Sequence, residues 1–181
     1  MALPQKQFYT AEDYWNLPED VRAELINGQF YDMAPPSRIH QKILIELCTI
    51  INNHIKPKRG ICQVYPAPFA VNLDANNKNW VEPDISVICD SRKLTNRGCS
   101  GAPDLIIEIL SPSSRKMDYI TKNALYSDAG VKEYWIVDPK KETTLVYRFE
   151  EDAAPTMYPF NAPVHFGLFP DLAVTVSNLL G

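Results

Sequence analysis

The sequence predicts a single α/β domain over residues 1–181, with a mixed sheet flanked by helices and an extra N-terminal hairpin. Three observations predict it. The runs DISVIC (84–89), DLIIEIL (104–110) and EYWIVD (133–138) are short and almost wholly apolar, as strands covered on both faces are. Leu44, Leu47 and Ile51 recur at helical spacing after Ser37, and a second helical stretch separates the last two strands. The alternating segment AELINGQFYDMA turns on Asn27-Gly28, the strongest short-range hairpin signal. With 181 residues and 45% hydrophobic content, the chain is long enough for one sizeable core and short for two.

Each element has a local cause. Thr10, followed by Glu12 and Asp13, caps a short helix over residues 11–16 that ends before Pro18. The hairpin strands then form the edge of a sheet. Ser37 is the N-cap of a long helix whose apolar face is widened by Ile43, Ile50 and Ile55, and Pro57 stops it. Residues 61–73 are extended, but Pro66 and Pro68 confine them to a sheet edge or a bulge. A polar loop joins the strands at 84–89 and 104–110. Ser113 or Ser114 caps a helix that runs to Asp128 and ends at Gly130. TTLVYRFE (143–150) alternates and pairs beside the 133–138 strand. From residue 151 the chain reads as an irregular, Pro-rich tail closing on LAVTVSNLL.

The bulk charge narrows the function. A net charge of −4 and a pI near 5.4 lack the electrostatic footprint of a dedicated nucleic-acid binder. They do not exclude one, because a metal-dependent site is itself built of carboxylates. Lys56, Lys58 and Arg59 form a local basic patch, most simply a solvated helix end that offsets the helix dipole. The four cysteines, Cys48, Cys62, Cys89 and Cys99, show no CxxC spacing, so neither a disulfide framework nor a zinc site is expected. The start MALPQKQFYTAEDYW has no signal-peptide pattern, and no stretch approaches the roughly 18 apolar residues of a membrane span. A soluble, reduced, cytoplasmic protein with no membrane partner is expected.

The chemistry lies in the exceptions to the apolar runs. Glu108 is the one charged residue between Leu105 and Leu110, in phase with Ile106 and Leu110, so a carboxylate is aimed into a core. Burying it ionised requires a cation, a donor or a changed pKa. Asp84 opens an apolar strand in the same way after Pro83. Lys122 lies within about 60° of Leu125, Tyr126 and Ala129 on a helical wheel, which makes it an inward lysine, and Asp118 one turn earlier shares its face. Two carboxylates on strands and an ammonium on the next helix are what metal-dependent phosphodiester hydrolysis requires. Oxygen ligands suit Mg²⁺ or Mn²⁺, and the lysine orients water or meets developing charge.

VEPDISV, GAPDLIIEILSPSS and DYITKNALYSDAGVKEYWIVDP resemble the signature run of the Uma family of restriction-endonuclease-like proteins, a branch of the PD-(D/E)XK superfamily. The resemblance extends to AELINGQ and PPSRIH and covers nearly all of the chain. It implies a restriction-endonuclease-like core acting on DNA, with Asp84 and Glu108 as metal ligands, Lys122 as the catalytic lysine and Glu24 as an accessory carboxylate. By analogy with nucleases that address two strands, it also implies a homodimer. The pattern departs from the superfamily's motif at Leu110, where a lysine is expected, so Lys122 must supply the ammonium from the following helix.

Other readings of these residues stay open. Asp84 after Pro83 is a common strand start, Glu108 and Lys122 can form a purely structural ion pair, and Glu24 can be a solvated edge carboxylate. His40 is either a core imidazole or a substrate-binding group, and Tyr126 either contacts substrate or only covers Lys122. The function is accordingly either hydrolysis of DNA or of another substrate, or a non-catalytic binding or assembly role on the same fold.

Overall fold

The protein's structure, a computed structural model, describes residues 8–58, 60–151 and 153–181. Helix α1 (Ala11–Trp15) opens on a capping box: Thr10 Oγ1 accepts from the Asp13 N–H, and the Asp13 carboxylate accepts from the Thr10 N–H. The hairpin β1 (Ala23–Ile26) and β2 (Gln29–Asp32) turns through Asn27 and Gly28 at φ 50° and 74°, the two left-handed positions that a type I′ turn demands. Ser37 caps α2 (Arg38–Ile55) by accepting from the His40 N–H, and a 3₁₀ turn at Lys56–Lys58 ends it around Pro57.

Six further strands follow: β3 (Gln63–Pro66), β4 (Val71–Asn72), β5 (Trp80–Val81), β6 (Ile85–Ile88), β7 (Leu94–Thr95) and β8 (Gly98–Ser100). After β9 (Leu105–Ile109) comes a helix whose first part, Met117–Lys122, is π-helical and whose second, α3 (Asn123–Ala129), is α-helical. Gly130 closes it at φ 90°. The chain ends with β10 (Glu133–Asp138), β11 (Thr143–Arg148), β12 (Thr156–Pro159), β13 (Val164–His165), β14 (Ala173–Val174) and a 3₁₀ turn at Val176–Leu179.

The expected mixed sheet is six-stranded, in the order β12-β11-β10-β9-β6-β3, with β9 and β10 parallel. A parallel pair needs a crossover, and the helix between β9 and β10 provides it. β3, with its proline, sits at the edge. The N-terminal hairpin heads a second six-stranded sheet, β2-β1-β5-β4-β8-β7, and β13 and β14 make a small ribbon. One core packs α2 on Ile85, Val87, Leu105, Ile107 and Ile109. The other packs Ile106, Leu110, Tyr126 and Tyr134 against Ile26, Val71 and Val81 of the second sheet.

Three expectations are corrected. The polar loop before β9 contains β7 and β8, and the tail after residue 151 contains β12 to β14, because strands this short, whether added to an existing edge as β8 and β12 are or paired with each other as β13 and β14 are, carry no hydrophobic period of their own. Cys62 and Cys89 form a disulfide, because β3 and β6 run antiparallel with Gln63 opposite Ile88 and so bring the two flanking cysteines together across 27 residues of sequence. The chain with this bond is not fully reduced, and only Cys48 and Cys99 are the small buried thiols expected, pushed up by burial to about 12 and about 11. Arg59 of the basic patch lies outside the described residues; Lys58 pairs with Asp171 and lies beside His54. Among the described residues no helix is long and apolar enough to cross a membrane.

Candidate active site

Strand alternation decides where the charge on β9 goes. Leu105, Ile107 and Ile109 face the α2 core, so Glu108 points with Ile106 toward the gap between the two sheets, where it is 3% exposed. β6 is antiparallel to β9 with Ile85 opposite Ile107, which brings Asp84 beside Glu108. The Asp84 N–H donates to Glu108 Oε2 at 3.3 Å, and the Ile109 N–H donates to Asp84 Oδ2 at 2.7 Å.

Lys122 enters from the π-helical segment. Its Nζ lies 2.9 Å from Glu108 Oε1, 2.9 Å from Glu24 Oε1 on β1 and 3.5 Å from Asp118 Oδ1. The Tyr126 hydroxyl, on α3, donates to Glu108 Oε1 at 2.7 Å. Tyr134 donates to the Asp118 carbonyl at 3.1 Å and so holds the widened turn, a feature that often marks functional sites. His40, at the start of α2, places Nε2 3.1 Å from Asp84 Oδ2 and Nδ1 3.1 Å from Gln41 Oε1. Glu24, His40, Asp84, Glu108, Lys122 and Tyr126, spread over 103 positions of sequence (126 − 24 + 1), thus share one network.

The electrostatics follow from burial and charge imbalance. Glu24, Asp32, Glu82, Asp84, Glu108 and Asp118 line one cleft of about 330 Å³, with Arg22 and Lys122 as its Lys and Arg residues. Burial raises the Glu108 carboxyl well above its ordinary value; Lys122 opposes this, and Asp118, Asp84 and Glu24 add to it. Burial likewise raises Asp118 against the pull of Lys122. Burial works against the Lys122 ammonium, and Glu108 and Glu24 outweigh that and hold it well above the usual lysine range. For His40, burial disfavours the charged ring, but the hydrogen bond and charge of Asp84 hold the pKa above its ordinary value. An imidazole with acceptor oxygens at both nitrogens is satisfied on both sides only when doubly protonated.

The donor set fits a hard divalent cation. Asp84 Oδ1 accepts no hydrogen bond among the described residues, and Glu108 Oε2 accepts only the Asp84 N–H. Among the described residues no three histidine, cysteine or carboxylate side chains form a closed metal cage. Mg²⁺ ordinarily takes one or two carboxylates and completes its shell with water and substrate oxygens, so the Asp84–Glu108 pair suffices. The excess negative charge, which adds to burial in raising Glu108 and Asp118, also favours a cation.

Glu82 escapes sequence reasoning. Its N–H donates to Glu24 Oε1 at 2.9 Å, and its carboxylate accepts from Arg22 at 2.6 Å and from the Tyr14 hydroxyl at 3.2 Å. The available signal is its place two residues before Asp84. Gln41, which orients His40, carries no signal at all.

The family model described as "Uma2: Putative restriction endonuclease" matches residues 9–177. The chain belongs to the Uma2 family. An uncharacterized protein of Synechocystis sp. is 28% identical over 144 residues, 78% of this chain and 74% of that protein. A crystal structure from Anabaena variabilis, described as a "putative nuclease belonging to DUF820", superposes with a TM-score of 0.75 at 29% identity, covering 94% of this chain and 96% of that one. The Uma2 chain therefore has the restriction-endonuclease-like fold of a nuclease family, in which the cleft lies between the two sheets.

Proposed function

We propose that this Uma2 protein is a divalent-metal-dependent endonuclease that hydrolyses DNA phosphodiester bonds, with Mg²⁺ or Mn²⁺ held by Asp84 and Glu108. The observation that carries the reading is the buried ammonium of Lys122, 2.9 Å from both Glu24 and Glu108 and beside an Asp84 carboxylate with an open oxygen. When bound, such an ion polarises a phosphoryl oxygen and acidifies water. Lys122, held charged, orients the attacking water and meets the charge that develops on phosphate. Glu24 and Asp118 fix the direction of the ammonium, His40 fixes the Asp84 rotamer, and Tyr126 fixes that of Glu108. His40 lines the cleft and can also donate to a phosphate oxygen. A homodimer acting in the cytoplasm would place two such clefts on two strands.

The test is nicking of supercoiled plasmid by the purified chain with Mg²⁺ or Mn²⁺. Cleavage is expected, and Asp84→Ala, Glu108→Ala and Lys122→Ala should each abolish it while circular dichroism stays native. A second reading is favoured by one observation: Lys122 already has three carboxylate partners and needs no ligand. If the network is structural only, no cleavage occurs and divalent ions leave the melting temperature unchanged.

A further inference from the structure

The cleft carries a second cation, Arg22, that the chemistry above does not use. The hairpin ladder continues past β1, with the Met33 N–H donating to the Arg22 carbonyl at 3.0 Å. Strand alternation then puts Arg22 on the same face as Glu24, two residues on, and both line the cleft. The guanidinium is held at Nη2, which donates to Glu82 Oε2 at 2.6 Å and lies 3.9 Å from Met33 Sδ. Glu82 is itself fixed, since it also accepts from the Tyr14 hydroxyl at 3.2 Å. Nε and Nη1 of Arg22 donate to no acceptor among the described residues, and the side chain is 44% exposed. The guanidinium is thus anchored through one nitrogen and reachable at the others.

Glu82 lies two residues before Asp84, so no more than about 7 Å of extended backbone separates the anchor of Arg22 from the proposed metal ligand. A phosphodiester strand with one phosphate at Asp84 and Glu108 must lay its flanking phosphates along the same cleft, which Asp32 and Glu82 also line. Like charges then face each other unless a cation intervenes. Lys122 cannot serve there, because its side chain is 6% exposed and surrounded by Glu24, Glu108 and Asp118. Arg22 is the other Lys or Arg residue of the cleft. A purely structural role accounts for it poorly, because a half-exposed ion pair contributes little to stability and Glu82 is bonded to Tyr14 without it.

We propose that Arg22 binds a non-bridging oxygen of the phosphate next to the one held at the metal, and so positions the strand for cleavage; the inference rests on the nuclease reading for the identity of that strand. An arginine suits the task because its separate nitrogens can hold Glu82 and a phosphate at the same time, with a charge that does not titrate. The contact is to the backbone, so it fixes register and reads no base sequence.

The experiment follows the fluorescence anisotropy of a labelled DNA duplex titrated with the full chain, in Ca²⁺ as the oxygen-seeking ion in place of Mg²⁺, between about 50 and 200 mM salt. Arg22→Ala should weaken binding roughly tenfold, as loss of one charge-assisted contact does. It should also reduce the slope of log affinity against log salt by about 0.9, the value for one phosphate. Arg22→Gln, which keeps a donor for Glu82 without the charge, should lose the same slope, whereas Arg22→Lys should keep it and bind with intermediate affinity. A structural role leaves the slope of all three variants at the wild-type value, and thermal melts run in parallel report the fold. A wild-type chain that binds no duplex, or Arg22→Ala and Arg22→Gln slopes equal to that of wild type, overturns the proposal. The two readings fail separately: plasmid left uncut in Mg²⁺ while binding still depends on Arg22 rejects hydrolysis alone, and plasmid cleaved with the slope unmoved rejects the Arg22 contact alone.

Discussion

Lys122 is 5% exposed, and its ammonium is the positive charge at the centre of Glu24, Glu108 and Asp118. Removing one member of a buried ion network leaves the others uncompensated, typically at about 3–5 kcal/mol. Lys122→Ala is therefore expected to be destabilised by that order, read as a lower urea midpoint. Replacing Lys122 and Glu108 together by Met and Gln should recover much of the loss, since both charges go. Tyr126→Phe removes only the hydroxyl that donates to Glu108 and should cost about 1.5–3 kcal/mol, the range for a bond to a charged group. The inward aim of Glu108 and Lys122 was legible from strand and helix period. That of Glu24 was not: AELI is buried at every position, so period 2 does not reveal which face holds the carboxylate, and only the family resemblance singled it out.

Between elements, a few residues hold the strands and helices in register. Gly98, at φ 135°, lies where β8 meets β4, and a Cβ there would stand 2.0 Å from the Ala70 carbonyl oxygen. Gly98→Ala should therefore fail to pair β4 with β8 and lower the melting temperature sharply, whereas Gly130→Ala meets open space and carries only the left-handed backbone strain. The Cys62–Cys89 bond staples edge strand β3 to β6, the strand that follows Asp84. Cys62→Ser should lose about 2–4 kcal/mol, checked against wild type with and without reductant. At the end of β10, Asp138 accepts two bonds from Arg115 at the start of the crossover helix, and the Lys140 and Lys141 N–H groups. Burial alone would raise its pKa, but Arg115 and those amides outweigh burial and lower it. Its contribution is fully present above the unfolded carboxylate value, about 3.9, and is lost as pH falls through the lowered folded value. Arg115→Ala should narrow its stability deficit below that range, measured by thermal melts from neutral to acid pH.

At the scale of the whole molecule, an acidic protein concentrates six carboxylates in one cleft between two sheets. Such a cleft should gain stability from a bound divalent ion. At a hundredfold excess over its dissociation constant, Mn²⁺ is expected to stabilise the fold by about 2.7 kcal/mol. Glu108→Gln should abolish that shift, and a shift that survives in the variant would move the ion elsewhere. On the proposed nuclease reading, the same acidity leaves the metal and Lys122, rather than a general positive field, to engage nucleic acid, so affinity should fall only weakly with added salt.

The elements with their own local signal were determined by sequence: the Asn27-Gly28 turn, the Ser37 and Thr10 caps, the apolar strands and the inward phase of Glu108 and Lys122. These follow from backbone conformation and periodicity, which act over a few residues. The tertiary structure alone decided that the hairpin leads a second sheet, that Cys62 meets Cys89, that β7, β8 and the tail strands exist, and that Glu82 and Gln41 join the cleft around Asp84 and Glu108. Those features depend on which segments lie side by side, and strand pairing between residues far apart in sequence leaves no period in either partner.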